Sequence, residues 1–199
     1  MDLYLLRHGA IEGGIPGTFY GATDFPLSKT GEKQAMAAGE RLRGVTFQAV
    51  YISPLQRAKD TLRLAKQTAG WDEPEPIFDE RLREMNFGIA EGLAYEQIKE
   101  NDPVLAENIR SDWASVVFPE GESVVAFRER VTQALDEIVE RHSNDERVLV
   151  VCHGGVIRLG LCHLLALPNP AFAHLHSEFA RWARIRMTER WGVLQELNA

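Results

Sequence analysis

The chain has almost no cysteine. Cys152 and Cys162 are the two thiols in 199 residues, and they form neither a disulfide framework nor a zinc-binding spacing. A disulfide-stapled secreted fold is therefore excluded, and a reducing, cytoplasmic setting is expected. Long apolar runs are also missing. None approaches the ~20 residues that a membrane-spanning helix requires, so no membrane partner is expected. Met1 leads straight into an apolar segment, so no signal peptide is expected. Positive charge is scarce: 22 Lys and Arg stand against 29 Asp and Glu, a net charge of −7. A nucleic-acid binder needs a basic face, so no nucleic-acid partner is expected. A small anion is still allowed, because a few arginines in one pocket act locally while distant charges are screened. Repeats, low-complexity tracts and Pro/Ser-rich linkers are absent too. Residues 1–199 therefore read as a single domain, long enough for a full-sized core.

Among the features present, Arg7-His8-Gly9 stands out at the end of the first apolar run, Leu3 to Leu6. A second His-Gly pair, His153-Gly154, closes the run Val148 to Cys152. Consecutive apolar residues suit strands buried on both faces of a parallel sheet. Two such strands ending in His-Gly would bring two imidazoles to one sheet edge, where open α/β sheets bind ligands.

The rest of the chain alternates helix and strand. Ser28 to Arg43 reads as a helix with Ser28 as N-cap and Gly44 as stop. Ala49 to Ile52 is a short strand. Ser53-Pro54 is expected to open the next helix, with Ser53 as cap and Pro54 in the first turn, running to about Ala69. Glu75 to Asp79 reads as extended. Tyr95 to Asn101 and Val104 to Val116 read as helices separated by Asp102-Pro103. Glu122 to His142 and Val156 to Ala166 read as helices as well. Phe179 to Met187 and Trp191 to Leu197 read as two strands across a short turn. This order predicts an α/β fold of three layers, helix-sheet-helix, with a mostly parallel sheet and an antiparallel edge.

Imidazole attacks phosphorus readily and can carry the phosphoryl group covalently. His8 would need to be neutral, with one ring nitrogen fixed by an acceptor such as a carbonyl of the Gly-rich loop that follows. Taken alone, a buried histidine is more often an ordinary core residue; Arg7 beside it suggests an anion. Arg57 lies at the next strand-to-helix junction, where a helix N-terminus favours anions and a guanidinium matches phosphate oxygens. Glu84 is a candidate proton donor to a leaving alcohol. Glu80 and Glu91 are rivals that read more simply as surface charge. The N–H of His153 is expected to stabilise charge on the transferring group. His142, His163, His174 and His176 have no such context. A metal centre fits poorly, since Arg7 and Arg57 would repel a cation; neither a metal nor any other cofactor is expected.

Together, Leu6-Arg7-His8-Gly9, Ser53-Pro54-x-x-Arg57-Ala58-x-x-Thr61, Glu84 with Phe87-Gly88-x-x-Glu91-Gly92, Pro119-Glu120-Gly121-Glu122-Ser123 and His153-Gly154-Gly155 resemble the histidine phosphatase superfamily. The match runs in order along nearly the whole chain. The resemblance implies a phosphoglycerate mutase-like fold and a metal-independent phosphomonoesterase. It makes His8 the nucleophile that becomes phosphohistidine and Glu84 the proton donor that later helps activate water. Arg7, Arg57 and His153 form the phosphate pocket around His8, with Gly9 and Gly154 beside them. Phe19 to Leu27 resembles the family's substrate-facing loop, so Tyr20 and the backbone near Gly21 are expected to face the substrate.

Three positions depart from the family pattern. Ile11 stands where Ser or Thr is usual, Gly14 where a phosphate-pocket Asn is common, and Ala90 where an aromatic residue is common. Tyr20-Gly21-x-x-Asp24-x-Pro26-Leu27 and Arg83 to Gly88 look most like α-ribazole phosphatases of cobalamin assembly. The expected partner is thus a small-molecule phosphomonoester, with α-ribazole 5′-phosphate first. A broad-specificity phosphatase or a phosphoglycerate mutase is the runner-up. A non-catalytic phosphate-binding module is the alternative of another class, and a mere binder would need neither His8 nor Glu84. Oligomeric state is left open, a homodimer being one option.

Overall fold

The computed structural model describes residues 1–72, 74–189 and 191–199. Six strands form one sheet: β1 (Asp2–Arg7), β2 (Ala49–Ile52), β3 (Pro76–Phe78), β4 (Arg147–Cys152), β5 (Trp182–Met187) and β6 (Gly192–Leu197). Their spatial order is β3-β2-β4-β1-β5-β6. The first four are mutually parallel, and β5 and β6 add an antiparallel edge. This is the predicted mixed sheet. The turn between β5 and β6 includes Arg190, which lies outside the described residues.

Both faces of the sheet are covered, which explains the continuous apolar runs. Tyr4, Leu6, Leu149 and Val151 point to one face with Ala38 of α1 (Lys29–Arg41), its C-cap Leu42, and Ala58 and Leu62 from α2 (Gln56–Ala69). Leu3, Leu5, Val148 and Val150 point to the other, against Val131, Leu135 and Ile138 of α5 (Val124–Arg141) and Val156 and Leu161 of α6 (Gly154–Leu164). The alternation follows from the two-residue repeat of a strand. Ala90 is fully buried in this second core.

Local chemistry sets most boundaries. The Ser28 side chain caps α1 by accepting the Gly31 N–H at 3.1 Å, as predicted. Asp102 caps α4 (Pro103–Ser111) through the Leu105 N–H at 2.9 Å, after the short α3 (Tyr95–Asn101). α4 ends at Ser111, and a 3-10 turn follows over Trp113–Ser115, so the helix predicted to Val116 is two pieces. Ser123 caps α5 through the Ala126 N–H. α6 begins at Gly154, two residues earlier than expected. Among the described residues no helix is long and apolar enough to cross a membrane.

The expected cap of α2 is not found. The helix starts at Gln56, and neither Ser53 nor Pro54 belongs to it. Its first N–H is taken by the Asp24 carboxylate, with Oδ1 and Oδ2 at 2.8 and 3.1 Å from the Gln56 nitrogen. An acidic group from another loop thus replaces the cap and answers the helix dipole. Ser53 is used elsewhere.

Candidate active site

The register of the two central strands brings the histidines together. Arg7 of β1 is opposite Cys152 of β4, so the next residues, His8 and His153, emerge side by side at the carboxyl edge. Their ring centroids are 5.1 Å apart. His8 is 5 % exposed and His153 is completely buried.

The tautomer of His8 is fixed by its neighbour. Its Nδ1 is 2.7 Å from the Gly9 carbonyl oxygen, which can only accept, so Nδ1 carries the proton. Among the described residues Nε2 has no hydrogen-bond partner, and its lone pair is free. Burial, then the charges of Arg57 and Arg7, hold the His8 pKa well below its ordinary value, against the weaker pull of the Gly9 carbonyl. The imidazole is neutral, as a nucleophile must be. Gly9 is fully used by the protein: its N–H goes to the Thr61 hydroxyl at 3.0 Å and its carbonyl to His8. A Cβ at Gly9 would strike the Gly31 carbonyl. Gly9 therefore serves close packing and tautomer selection, and its N–H is committed to Thr61.

Arg57 lies in the first turn of α2 and is only 1 % exposed. It joins three elements. Its Nε donates to His153 Nδ1 at 3.2 Å, and its terminal nitrogens donate to the carbonyls of Thr23 (2.8 Å) and Gly21 (2.6 Å). Five donors minus these three leaves two for an anion. Because Arg57 only donates, His153 Nδ1 must accept, and the imidazole proton sits on Nε2. That N–H meets Ser53 Oγ at 2.7 Å. In this arrangement the N–H of His153 donates to Ser53 Oγ. Burial, with Arg57, His8 and Arg7, holds His153 neutral.

Arg7 lies across the mouth of the site. Its guanidinium stacks 3.8 Å over the Phe179 ring and donates to the Ser177 carbonyl. Its Nε is buried without a hydrogen-bond partner. Burial lowers its pKa to about 10, so it remains a cation at neutral pH. A Cβ at Gly154 would come within 3.3 Å of this guanidinium. Gly154 thus makes room for Arg7 at the start of α6, where the helix dipole favours an anion.

Glu84 borders the same corner, 9 % exposed. Its Oε2 accepts the Gly155 N–H at 2.9 Å and its Oε1 the Met85 N–H at 3.0 Å. Glu80, in contrast, is exposed and pairs with Arg83 at 3.2 Å. Glu91 is not surface charge. Its carboxylate takes the N–H groups of Gly21, Ala22, Thr23 and Phe87 and the Thr23 hydroxyl. With Arg57 it fixes the 21–23 backbone from both sides. The Gly21 N–H is thus committed to Glu91 and its carbonyl accepts from Arg57, and a Cβ there would run into the Met85 carbonyl. Tyr20 does border the cleft, with its hydroxyl bound to the Gly13 carbonyl at 2.8 Å. Gly14 lies in an exposed turn, and the Ile11 side chain is buried.

A cleft of about 840 Å³ opens from Arg7, Glu84, Gly154 and Gly155. Phe19, Phe87, Trp113, Arg158 and Phe172 form its wall. Trp113 and Phe172 lie nearly parallel, at 12°, and Arg158 sits 3.8 Å over Phe172. Among the described residues no three His, Cys, Asp or Glu side chains cluster as a metal site. Sequence reasoning missed Ser53 as the partner of His153, Thr61 as the partner of Gly9, and Arg158. The first two lie within the Ser53-to-Thr61 motif and had a signal there; Arg158 had none.

Comparison with known proteins agrees with this geometry. Residues 3–199 match the model of the histidine phosphatase superfamily, branch 1. The adenosylcobalamin/α-ribazole phosphatase of Salmonella typhimurium is 32 % identical over 199 residues, covering all of this chain and 96 % of that protein. Phosphoserine phosphatase 1 of Hydrogenobacter thermophilus is 31 % identical, covering all of this chain and 92 % of that one. The crystal structure of the α-ribazole phosphatase from Shigella flexneri superposes with a TM-score of 0.90 at 28 % identity, covering 100 % and 96 % of the two chains. With a matched model across almost its full length and the buried histidine pair at the sheet edge, the chain belongs to the histidine phosphatase superfamily.

Proposed function

We propose that this histidine phosphatase hydrolyses a small-molecule phosphomonoester through a phosphohistidine on His8, and that its substrate is α-ribazole 5′-phosphate. The observation that carries the chemistry is His8 itself: neutral, with Nδ1 tied to the Gly9 carbonyl and Nε2 free beside two arginines. Nε2 attacks phosphorus as the ester P–O bond breaks. Glu84 gives a proton to the departing alkoxide. Water then attacks phosphorus while Glu84 takes its proton, the Nε2–P bond breaks to return neutral His8, and inorganic phosphate leaves. Arg7 and the two remaining Arg57 donors bind the phosphoryl oxygens, and the α6 N-terminus adds a favourable field. His153 holds Arg57 in place through Nδ1.

The wall supports this choice of substrate. A cleft of about 840 Å³ lined by Phe19, Phe87, Trp113 and Phe172 suits a flat, nucleoside-sized leaving group. The adenosylcobalamin/α-ribazole phosphatases, similar along the whole chain, support the same substrate. The likeness to a phosphoserine phosphatase favours a second reading, a phosphatase of wider range.

A screen of phosphomonoesters in excess chelator tests the assignment. α-Ribazole 5′-phosphate is expected to give the highest kcat/KM, above phosphoserine, phosphoglycerates and sugar phosphates. Equal rates on all would support the wider phosphatase. Loss of activity in chelator with rescue by a divalent cation would contradict the mechanism.

A further inference from the structure

Glu84 sits in a stretch with few backbone ladders. After the short 3-10 turn Glu80–Leu82 the chain from Arg83 to Phe87 is neither helix nor strand. Its peptide groups need partners from outside, and one side chain takes the carbonyls of Arg83 and Glu84. Arg130, two turns into α5, lies 4.8 Å over the Phe127 ring. It uses all five of its donors. Its NH1 nitrogen reaches the carbonyls of Arg81 and Arg83, both at 2.7 Å, and NH2 reaches the Glu84 carbonyl at 3.1 Å. Nε and NH2 also grip the Glu122 carboxylate at 2.6 and 2.9 Å. Glu122 continues the hold beyond Glu84. Its Oε2 accepts the Asn86 N–H at 3.3 Å, and its own N–H donates to the Asn86 carbonyl at 2.9 Å.

We propose that Arg130 and Glu122 form a clamp that sets where the Glu84 carboxyl points. They are positioning residues for proton transfer, and neither touches the substrate. The inference rests on Glu84 being the proton donor. Three carbonyls within four residues converge on one guanidinium, and the bidentate ion pair keeps that guanidinium oriented. The bonded groups flank Glu84 on both sides in sequence. A plain structural ion pair would need only the Arg130–Glu122 contact. Here the pair fixes the peptide that carries the acid, and the Gly155 N–H then fixes the acid's own oxygen. Displacing a reacting group by about 1 Å can cost ~10²-fold in rate.

The test compares leaving groups. Arg130→Gln and Glu122→Asp are assayed on p-nitrophenyl phosphate, whose leaving group needs no proton, and on the alkyl phosphate the enzyme hydrolyses fastest. Glu84→Gln serves as reference. Each clamp variant is expected to lose ~10–10²-fold in kcat on the alkyl ester, with KM nearly unchanged and at most a ~3-fold loss on p-nitrophenyl phosphate. Glu84→Gln/Glu122→Asp should be no slower than Glu84→Gln alone. Equal losses on both esters, or losses that multiply in the double variant, would overturn the clamp. If Glu84→Gln discriminates between the esters and the clamp variants do not, only the clamp falls. If Glu84→Gln is itself indifferent, the acid assignment falls and takes the clamp with it. Should Arg130→Gln fail to fold, Glu122→Asp, which keeps the charge but shortens its reach to Arg130 and Asn86, decides alone.

Discussion

The floor and the wall of the cleft are assembled differently. The floor is built on the carboxyl edge of β1 and β4, so its positions are dictated by strand register: Arg7 ends β1 and His8 follows it, His153 and Gly154 follow β4, and Arg57 is bonded to His153; of these, Arg7 and Gly154 line the cleft itself. It is buried and cationic, and its hydrogen bonds are nearly all spent on holding its own parts. The wall comes from segments far apart in the chain, near Phe19, Phe87, Trp113 and Phe172, and is partly exposed. Rigid strand ends fix the phosphoryl chemistry, while loops shape the space for the leaving group. Substrate range can therefore change without disturbing the nucleophile.

Three changes probe this division. The largest effect is expected at the floor. Arg57→Ala removes two candidate phosphate donors and unties His153 from the 21–23 loop. It should lower kcat/KM by ~10²–10³-fold, the cost typical of losing a transition-state donor, and equally for large and small esters. A loss confined to bulky esters would move Arg57 to the wall.

The second effect concerns pH. His8 and His153 have lowered pKa values in the folded protein, first from burial and then from Arg57 and its neighbours. The unfolded chain takes up protons near the ordinary histidine value of about 6.5. Stability is therefore full above that pH and falls below it, because the unfolded state binds protons that the folded floor refuses. The expected slope is up to about 1.4 kcal/mol per pH unit for each histidine. Urea titrations at pH 7.0 and 5.5 check this. His153→Gln should lose less stability than the parent over that interval; the same loss in both would show that His153 does not titrate as described.

The smallest effect is expected at the wall. Trp113→Ala removes the ring stacked with Phe172. Aromatic contacts of this kind are worth about 0.5–1.5 kcal/mol, so KM for α-ribazole 5′-phosphate should rise by ~2–10-fold while p-nitrophenyl phosphate is unaffected. A matching loss on both would place Trp113 in support of the floor.

The same division governs what the sequence reveals. His8, Arg7 and His153 were legible because each is next to an apolar strand run, and parallel strands align their ends. Ser28 was legible as a cap because the signal is local. Ser53 was misread: the Ser-Pro pair before a helix looks like a cap, but Asp24 from another loop takes that task and leaves Ser53 for His153. Glu91 looked like surface charge because its partners, Gly21 to Thr23, lie 68 to 70 residues away. The assignments of Gly9 and Gly21 to substrate come from the resemblance; what the structure adds is that the N–H of Gly9 goes to Thr61 and that of Gly21 to Glu91, partners far away in the chain. Arg158 and the Trp113–Phe172 wall depend on how loops meet in space, which no local pattern records.

The phosphoenzyme tests the central claim most directly. The enzyme is quenched during turnover of a ³²P-labelled phosphomonoester and digested under alkaline conditions that preserve phosphoramidates. Label is expected on the peptide containing His8, acid-labile and alkali-stable, and absent from His8→Ala. Label on any other peptide, or turnover without label alongside full activity of His8→Ala, would contradict it.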